Sequence, residues 1–197
     1  MSPPTTRYIP SRILLARPPL APSACLKFAS PLGMKNFHAS DFIDKCSARF
    51  HFEQRGVEIY ELVITKCPPG LRARFQKILG QEKKHSAILA EVLEKYGANP
   101  YALTRSSKVT EIEAPSILKA ARKSDFRGLM DTLLTIELVD TANWELLVLL
   151  AEKMGDRQAS VKFRQCLADE SEHLRFIHRH ILKELTGKTR VPRLKAA

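Results

Sequence analysis

Only four cysteines occur in 197 residues, and none stands in a Cys-x-x-Cys pair. That spacing excludes a zinc ribbon or a rubredoxin-like knuckle. So few thiols in a chain this long make no disulfide framework, and a reducing, cytoplasmic setting is the expectation. Long apolar runs are missing too. The longest, LLVLL at 146–150, falls far short of the ~18–20 residues that a membrane helix needs. Acidic residues are absent from positions 1–33, which carry Arg7, Arg12, Arg17 and Lys27, a charge of +4. Residues 183–197 carry five Lys or Arg against Glu184, another +4. Of the net +11, only +3 is left for 34–182. The basic excess therefore lies in two tails and not on the body of the chain. Solvated tails are the expectation, with contact to nucleic acid the minor reading.

What is present is enough apolar matter, 44% of residues, for one domain with a real core. Seven of the twelve prolines fall within 1–33, where helical periodicity is also lacking. Residues 1–36 are expected to be a disordered extension, either an over-long start before Met34 or a targeting segment. A helical body is expected over 37–187 and a basic tail over 188–197.

The body shows four rows of residues at 3–4 spacing. The first is Ile43, Cys46, Phe50, Glu53, Val57, Tyr60, Ile64, and the second Phe75, Ile78, Glu82, His85, Leu89, Val92, Tyr96. The third is Met130, Leu133, Glu137, Asp140, Trp144, Leu147, Ala151, and the fourth Phe163, Cys166, Glu170, His173, Ile177, His180. Each row is apolar except near its middle, where carboxylates and imidazoles take core positions. A charge on a core face costs free energy unless something binds it.

Stop signals divide the rows. Ser40-Asp41 is the expected cap of the first helix, and CPPG at 67–70 separates it from the second. Gly97 and Asn99-Pro100 end the second, Ser124-Asp125 starts the third, and MGDR at 154–157 turns the third into the fourth. Gly187 ends the fourth. Two tight hairpins joined by a long segment, 98–123, predict an antiparallel four-helix bundle with a crossover between the second and third long helices. A short helix near 115–122 is expected within the crossover.

Hairpin arithmetic brings the odd residues together. Glu53 and Glu82 have their midpoint inside CPPG, and Glu137 and Glu170 have theirs beside MGDR. Each pair is level across its own hairpin, at depths of ~21 and ~24 Å from the turns at 1.5 Å per residue. One Glu from each of two helices and Glu-x-x-His from each of the others form the ligand set of a carboxylate-bridged dimetal site. Residues i and i+3 share a helix face, so Glu-x-x-His offers an oxygen and a nitrogen to one place.

These residues carry a resemblance. Over roughly 40–186 the chain resembles the ferritin-like superfamily, and within it the erythrin domain of rubrerythrins and bacterioferritin. EQRGVEIYE (53–61) is similar to the first-helix motif, EKKH (82–85) to the second, and Glu137 followed by DESEH (169–173) to the second half. The resemblance implies a ferritin-like all-α four-helix bundle holding two iron ions, with manganese or a mixed pair as variants. It implies that Glu82 and Glu170 bridge, that Glu53 and His85 complete one metal, and that Glu137 and His173 complete the other. Tyr60 would bond a ligand carboxylate and Asp169 would orient a ligand histidine. Asp140 stands where rubrerythrins carry an extra Glu that swings onto a metal, and is read both as an occasional ligand and as an acceptor behind the ligands.

Bland roles are expected for the neighbours. Glu58, Glu61 and Glu145 lie off the rows, as solvated or edge charges. Cys46 and Cys166 read as small buried hydrophobes, with a redox role left open for Cys166. His178 and His180 read as solvated. The implied activity is oxidation by O2 or H2O2, as in a peroxidase or ferroxidase served by an electron-donor protein, in a homodimer or larger homo-oligomer. The alternatives are a di-iron hydroxylase of a large substrate such as tRNA, and an iron-storage or non-catalytic metal-binding bundle.

Overall fold

The structure, a computed structural model, describes residues 38–187. The expectations for 1–36 and 188–197 lie outside the described residues. Five helices run through the rest: α1 (Ala39–Lys66), α2 (Pro69–Lys95), α3 (Arg105–Lys123), α4 (Phe126–Lys153) and α5 (Arg157–Thr186). No strand occurs among the described residues, and none of their helices is long and apolar enough to cross a membrane.

Local chemistry sets the boundaries. His38, not Ser40, is the N-cap of α1, and Asp41 sits one turn in, accepting from the His38 N–H at 3.1 Å. Pro68 and Pro69 break α1 from α2, and Pro69 at the first helical position loses no bond. Asp125 caps α4 through Gly128 N–H at 2.9 Å, and Asp156 caps α5 through Ala159 N–H at 3.1 Å. Gly155 and Gly187 take the left-handed φ values of 72° and 65° that end α4 and α5.

The crossover corrects the expected short helix at 115–122. α3 spans 19 residues and runs through Pro115. Its start is fixed ten residues earlier by a capping box, in which Thr104 and Ser107 bond each other's backbone N–H groups. Ser107, Ala114, Leu118 and Ala121 then form a buried stripe. α3 lies chiefly along α1, and the four long helices pack as the hairpins α1–α2 and α4–α5, with α1 beside α4 and α2 beside α5.

Two apolar clusters fill the bundle. One holds Phe42, Phe50, Leu89, Trp144, Leu147 and Phe163; the other holds Ile59, Phe75, Ile78, Leu129, Leu133 and Ile177. At about 1.5–3 kcal/mol for each large side chain, these clusters supply the driving force for assembly. Between them lies a polar layer.

Candidate metal centre

The polar layer consists of Glu53, Glu82, His85, Glu137, Glu170 and His173, each no more than 1% exposed. α1 supplies Glu53, α2 Glu82 and His85, α4 Glu137, and α5 Glu170 and His173. Ligand atoms of Glu53, Glu82, His85 and Glu170 all lie within 4.8 Å of one another, as do those of Glu82, Glu137, Glu170 and His173. Glu82 and Glu170 belong to both groups. Glu170 spans them, with Oε1 at 2.8 Å from His85 Nδ1 and Oε2 at 3.4 Å from His173 Nδ1. Glu82 Oε1 lies 3.1 Å and Glu137 Oε2 3.6 Å from His173 Nδ1, while Glu53 Oε2 lies 3.9 Å from His85 Nδ1. The two imidazoles stack at 6.1 Å between centroids.

Each outward atom of the terminal residues is held from behind. Glu53 Oε1 accepts from Trp144 Nε1 at 2.9 Å, and Glu137 Oε1 accepts from the Tyr60 hydroxyl. His85 Nε2 faces Asp169 Oδ2 at 3.4 Å, and His173 Nε2 faces Gln81 Oε1 at 3.2 Å. The inward atoms are different. Glu53 Oε2, Glu137 Oε2, both oxygens of Glu82 and of Glu170, and Nδ1 of each histidine make no hydrogen bond. They approach one another closely, but at angles that do not form one. Buried polar atoms left so are costly. Here one atom comes from each terminal residue and two from each shared carboxylate, all turned into one layer. Four carboxylates balance two divalent cations, and two imidazole nitrogens suit iron, manganese or zinc. The donor set fits a metal pair.

Electrostatics in the metal-free protein point the same way. Burial, then the charges of Glu170 and Glu53, drive the Glu82 carboxyl well above its usual range. Burial and Glu170 push Glu137 up to about 7, although His173 and Tyr60 oppose the shift. Burial also acts to raise Glu170, but His173 and His85 outweigh it and hold the carboxyl well below the usual range. Burial opposes charge on the histidines, yet the carboxylates facing Nδ1 of His173 push it up to about 12, and Glu170 and Glu53 raise His85. Protons thus occupy the layer, and cations entering it displace them.

Six of the seven residues read as ligands meet in this layer. Asp140 is in neither group. It is 1% exposed and its Oδ1 lies 2.5 Å from Arg49 Nη2. Arg49, itself 3% exposed, also places Nε at 3.0 Å from Glu53 Oε1 and stacks on Phe52 at 4.3 Å. Arg49, Gln81 and the donor role of Trp144 were missed in the sequence. Arg49 stands four residues before Glu53, which is the available signal. Glu58 and Glu61 pair with Arg55 and Lys83 away from the layer, and Glu145 is exposed. Cys46 and Cys166 are buried, and burial pushes both thiols up, so they stay neutral. His178 is exposed, and half-buried His180 lies beside Glu184 at 3.4 Å.

Residues 40–189 match a family profile described as a domain of unknown function, DUF892. No curated protein matches the chain. Among solved structures it is similar to a ferritin-like, diiron-carboxylate protein from Bacillus anthracis str. Ames, at a TM-score of 0.60 and 17% identity, covering 72% of this chain and 96% of that one. It is also similar to a hypothetical protein from Methanococcus jannaschii DSM 2661, at a TM-score of 0.57 and 17% identity, covering 85% of this chain and 93% of that one. Likeness at this identity establishes the ferritin-like helical fold.

Proposed function

The chain belongs to the DUF892 family, and from its buried donor set we propose that it is a non-haem di-iron carboxylate protein, oxidised by O2 or H2O2 in the manner of a rubrerythrin-like peroxidase or ferroxidase. The observation that carries this reading is the set of inward atoms, two from each shared carboxylate and one from each terminal residue, with every outward atom held from behind. When bound, a ferrous pair supplies two electrons: with O2 and two protons it gives two ferric ions and H2O2, and with H2O2 and two protons two ferric ions and two waters.

The residues do the rest. Tyr60 and Trp144 fix which oxygen of Glu137 and of Glu53 faces inward. Asp169 and Gln81 draw the Nε2 protons of His85 and His173, which leaves Nδ1 free for a cation once its proton is displaced. The apolar clusters on both sides keep bulk water out of the layer. Repeated turnover as a peroxidase calls for an electron donor that returns the ferric pair to ferrous.

Anaerobic titration of the metal-free protein with ferrous iron should saturate at two per chain. Oxygen or peroxide should then bleach the ferrous centre and raise near-ultraviolet absorption of the ferric pair. Saturation at one equivalent, or none, would remove the reading. Asp169→Ala should leave the fold intact and weaken binding at the His85 side by about 10–100-fold, the usual loss for a carboxylate behind a ligand histidine. Isothermal titration should therefore split into one tight and one weakened equivalent. Two unchanged equivalents would show that Asp169 holds nothing.

A further inference from the structure

A cavity of about 50 Å³ lies under the crossover helix, between α3, α1 and α4. A single water needs ~10–15 Å³ measured in this way, so the space takes a small molecule and nothing as large as a nucleobase. Its walls include Phe52, Ile59, Leu118 and Ile136, and its polar members are half-buried Arg55 and Thr110 and exposed Glu113. Ile59 and Ile136 are chain neighbours of Tyr60 and Glu137. The remaining wall residue on α1 is Gly56.

Gly56 is buried in the interior of a 28-residue helix. Glycine there is destabilising relative to alanine. Neither the backbone nor close packing calls for it. Its φ is not left-handed, and an added Cβ would find only Glu82 Oε2, at 3.7 Å, an ordinary contact. Gly128 is the contrast, where a Cβ would press on Ser124 Cβ at 3.0 Å. Gly56 puts no side chain between the cavity it lines and Glu82 Oε2, a buried oxygen of a carboxylate shared by both donor groups that the cavity itself does not reach.

We infer that the cavity under α3 is the entry site for dioxygen, and that Gly56 is the aperture through which it meets the metal pair. This rests on the di-iron reading and narrows its oxidant. Dioxygen is small, uncharged and apolar, as the walls are. Hydrogen peroxide would shed hydrogen bonds to water on passing the apolar walls beside Gly56, which offer it no replacement.

Xenon tests the cavity without iron. Metal-free crystals pressurised with xenon should show one atom against Gly56 and Ile59. Gly56→Leu fills the aperture from α1, and Ala114→Leu fills the same space from α3, which carries no ligand residue. Each should displace xenon and still bind two metals per chain. Each should slow O2-driven oxidation of the ferrous-loaded protein at least tenfold, and Ala114→Leu should leave peroxide-driven oxidation within twofold. Absence of xenon from the parent would overturn the inference, as would a full O2 rate in variants that exclude xenon. Failure of the parent to bind two metals would instead overturn the di-iron reading, and leaves the xenon result standing by itself.

Discussion

Replacing Glu170 by alanine should lower the metal content from two per chain to fewer than one. Glu170 is common to both donor groups, with one oxygen turned to each histidine. Removing it takes a ligand from both cations and also the charge that balances them. Glu53→Ala touches only one group and should leave about one equivalent. Glu58→Gln, outside both groups, should leave two. The metal-free variant should suffer as well. Glu170 is the carboxylate held ionised by His85 and His173, so its loss leaves two buried imidazoles short of a counter-charge. Breaking a buried pair in this way typically costs about 3–5 kcal/mol. Elemental analysis after exhaustive dialysis, alongside thermal melting of stripped protein, reads both effects. Two metals retained by Glu170→Ala would sink the assignment of a shared carboxylate.

How much of this was legible depends on what each residue signals. The rows on α2 and α4 read correctly because Glu82, His85, Glu137 and Asp140 interrupt otherwise apolar stripes, and the same polar interruption marks Glu170 and His173 on α5. The row on α1 drifted by one residue at three places. The sequence suggested Ile43, Val57 and Ile64, whereas Phe42, Gly56 and Val63 are buried. The cause is physical. Choosing the more apolar neighbour favours Val57 over Gly56 and passes over Arg49, yet the helix turns both of these inward. Gly56 has no side chain to give a hydropathy signal, and Arg49 gives the opposite one. Arg49 is tolerable inside because Glu53, one turn along α1, and Asp140, across on α4, flank it, and the second contact crosses between helices. No single-helix pattern contains that information. Asp140 illustrates the same limit, since its position on α4 was readable but its partner was not. The length of α3 was obscured by Pro115, which marks a helix start more often than a helix interior. The Thr104 cap, and the stripe Ser107, Ala114, Leu118 and Ala121 against its neighbours, override that signal.

The polar layer should also make the metal-free protein melt lower at pH 8 than at pH 5. Glu82, Glu137 and Asp140 all have carboxyls raised by burial. In the unfolded chain such groups release protons near 4.5 or 3.8, but Glu137 keeps its proton up to about 7 in the fold. The folded state therefore binds more protons than the unfolded state across this window, and stability falls as pH rises. His85 and His173 act with the same sign above 6.5, since both are raised in the fold. Glu170, Asp44 and Asp156 have lowered carboxyls and act oppositely, but only below their unfolded values near 4. For Glu137 alone, moving from 4.5 to about 7 corresponds to about 3 kcal/mol, because one pKa unit is ~1.4 kcal/mol. A change of that size shifts the melting temperature by several degrees, roughly 2–4 °C per kcal/mol at this chain length. Cations reverse the slope. They compete with the same protons, so binding strengthens as pH rises, and the gain in melting temperature on adding ferrous or manganous ion should be larger at pH 8 than at pH 5. Melting curves at pH 5, 6, 7 and 8, with and without metal, give both slopes in one series. A metal-free protein that grows steadily more stable from pH 5 to 8 would mean that these carboxyls are ionised in the fold, and that the layer lies open to water.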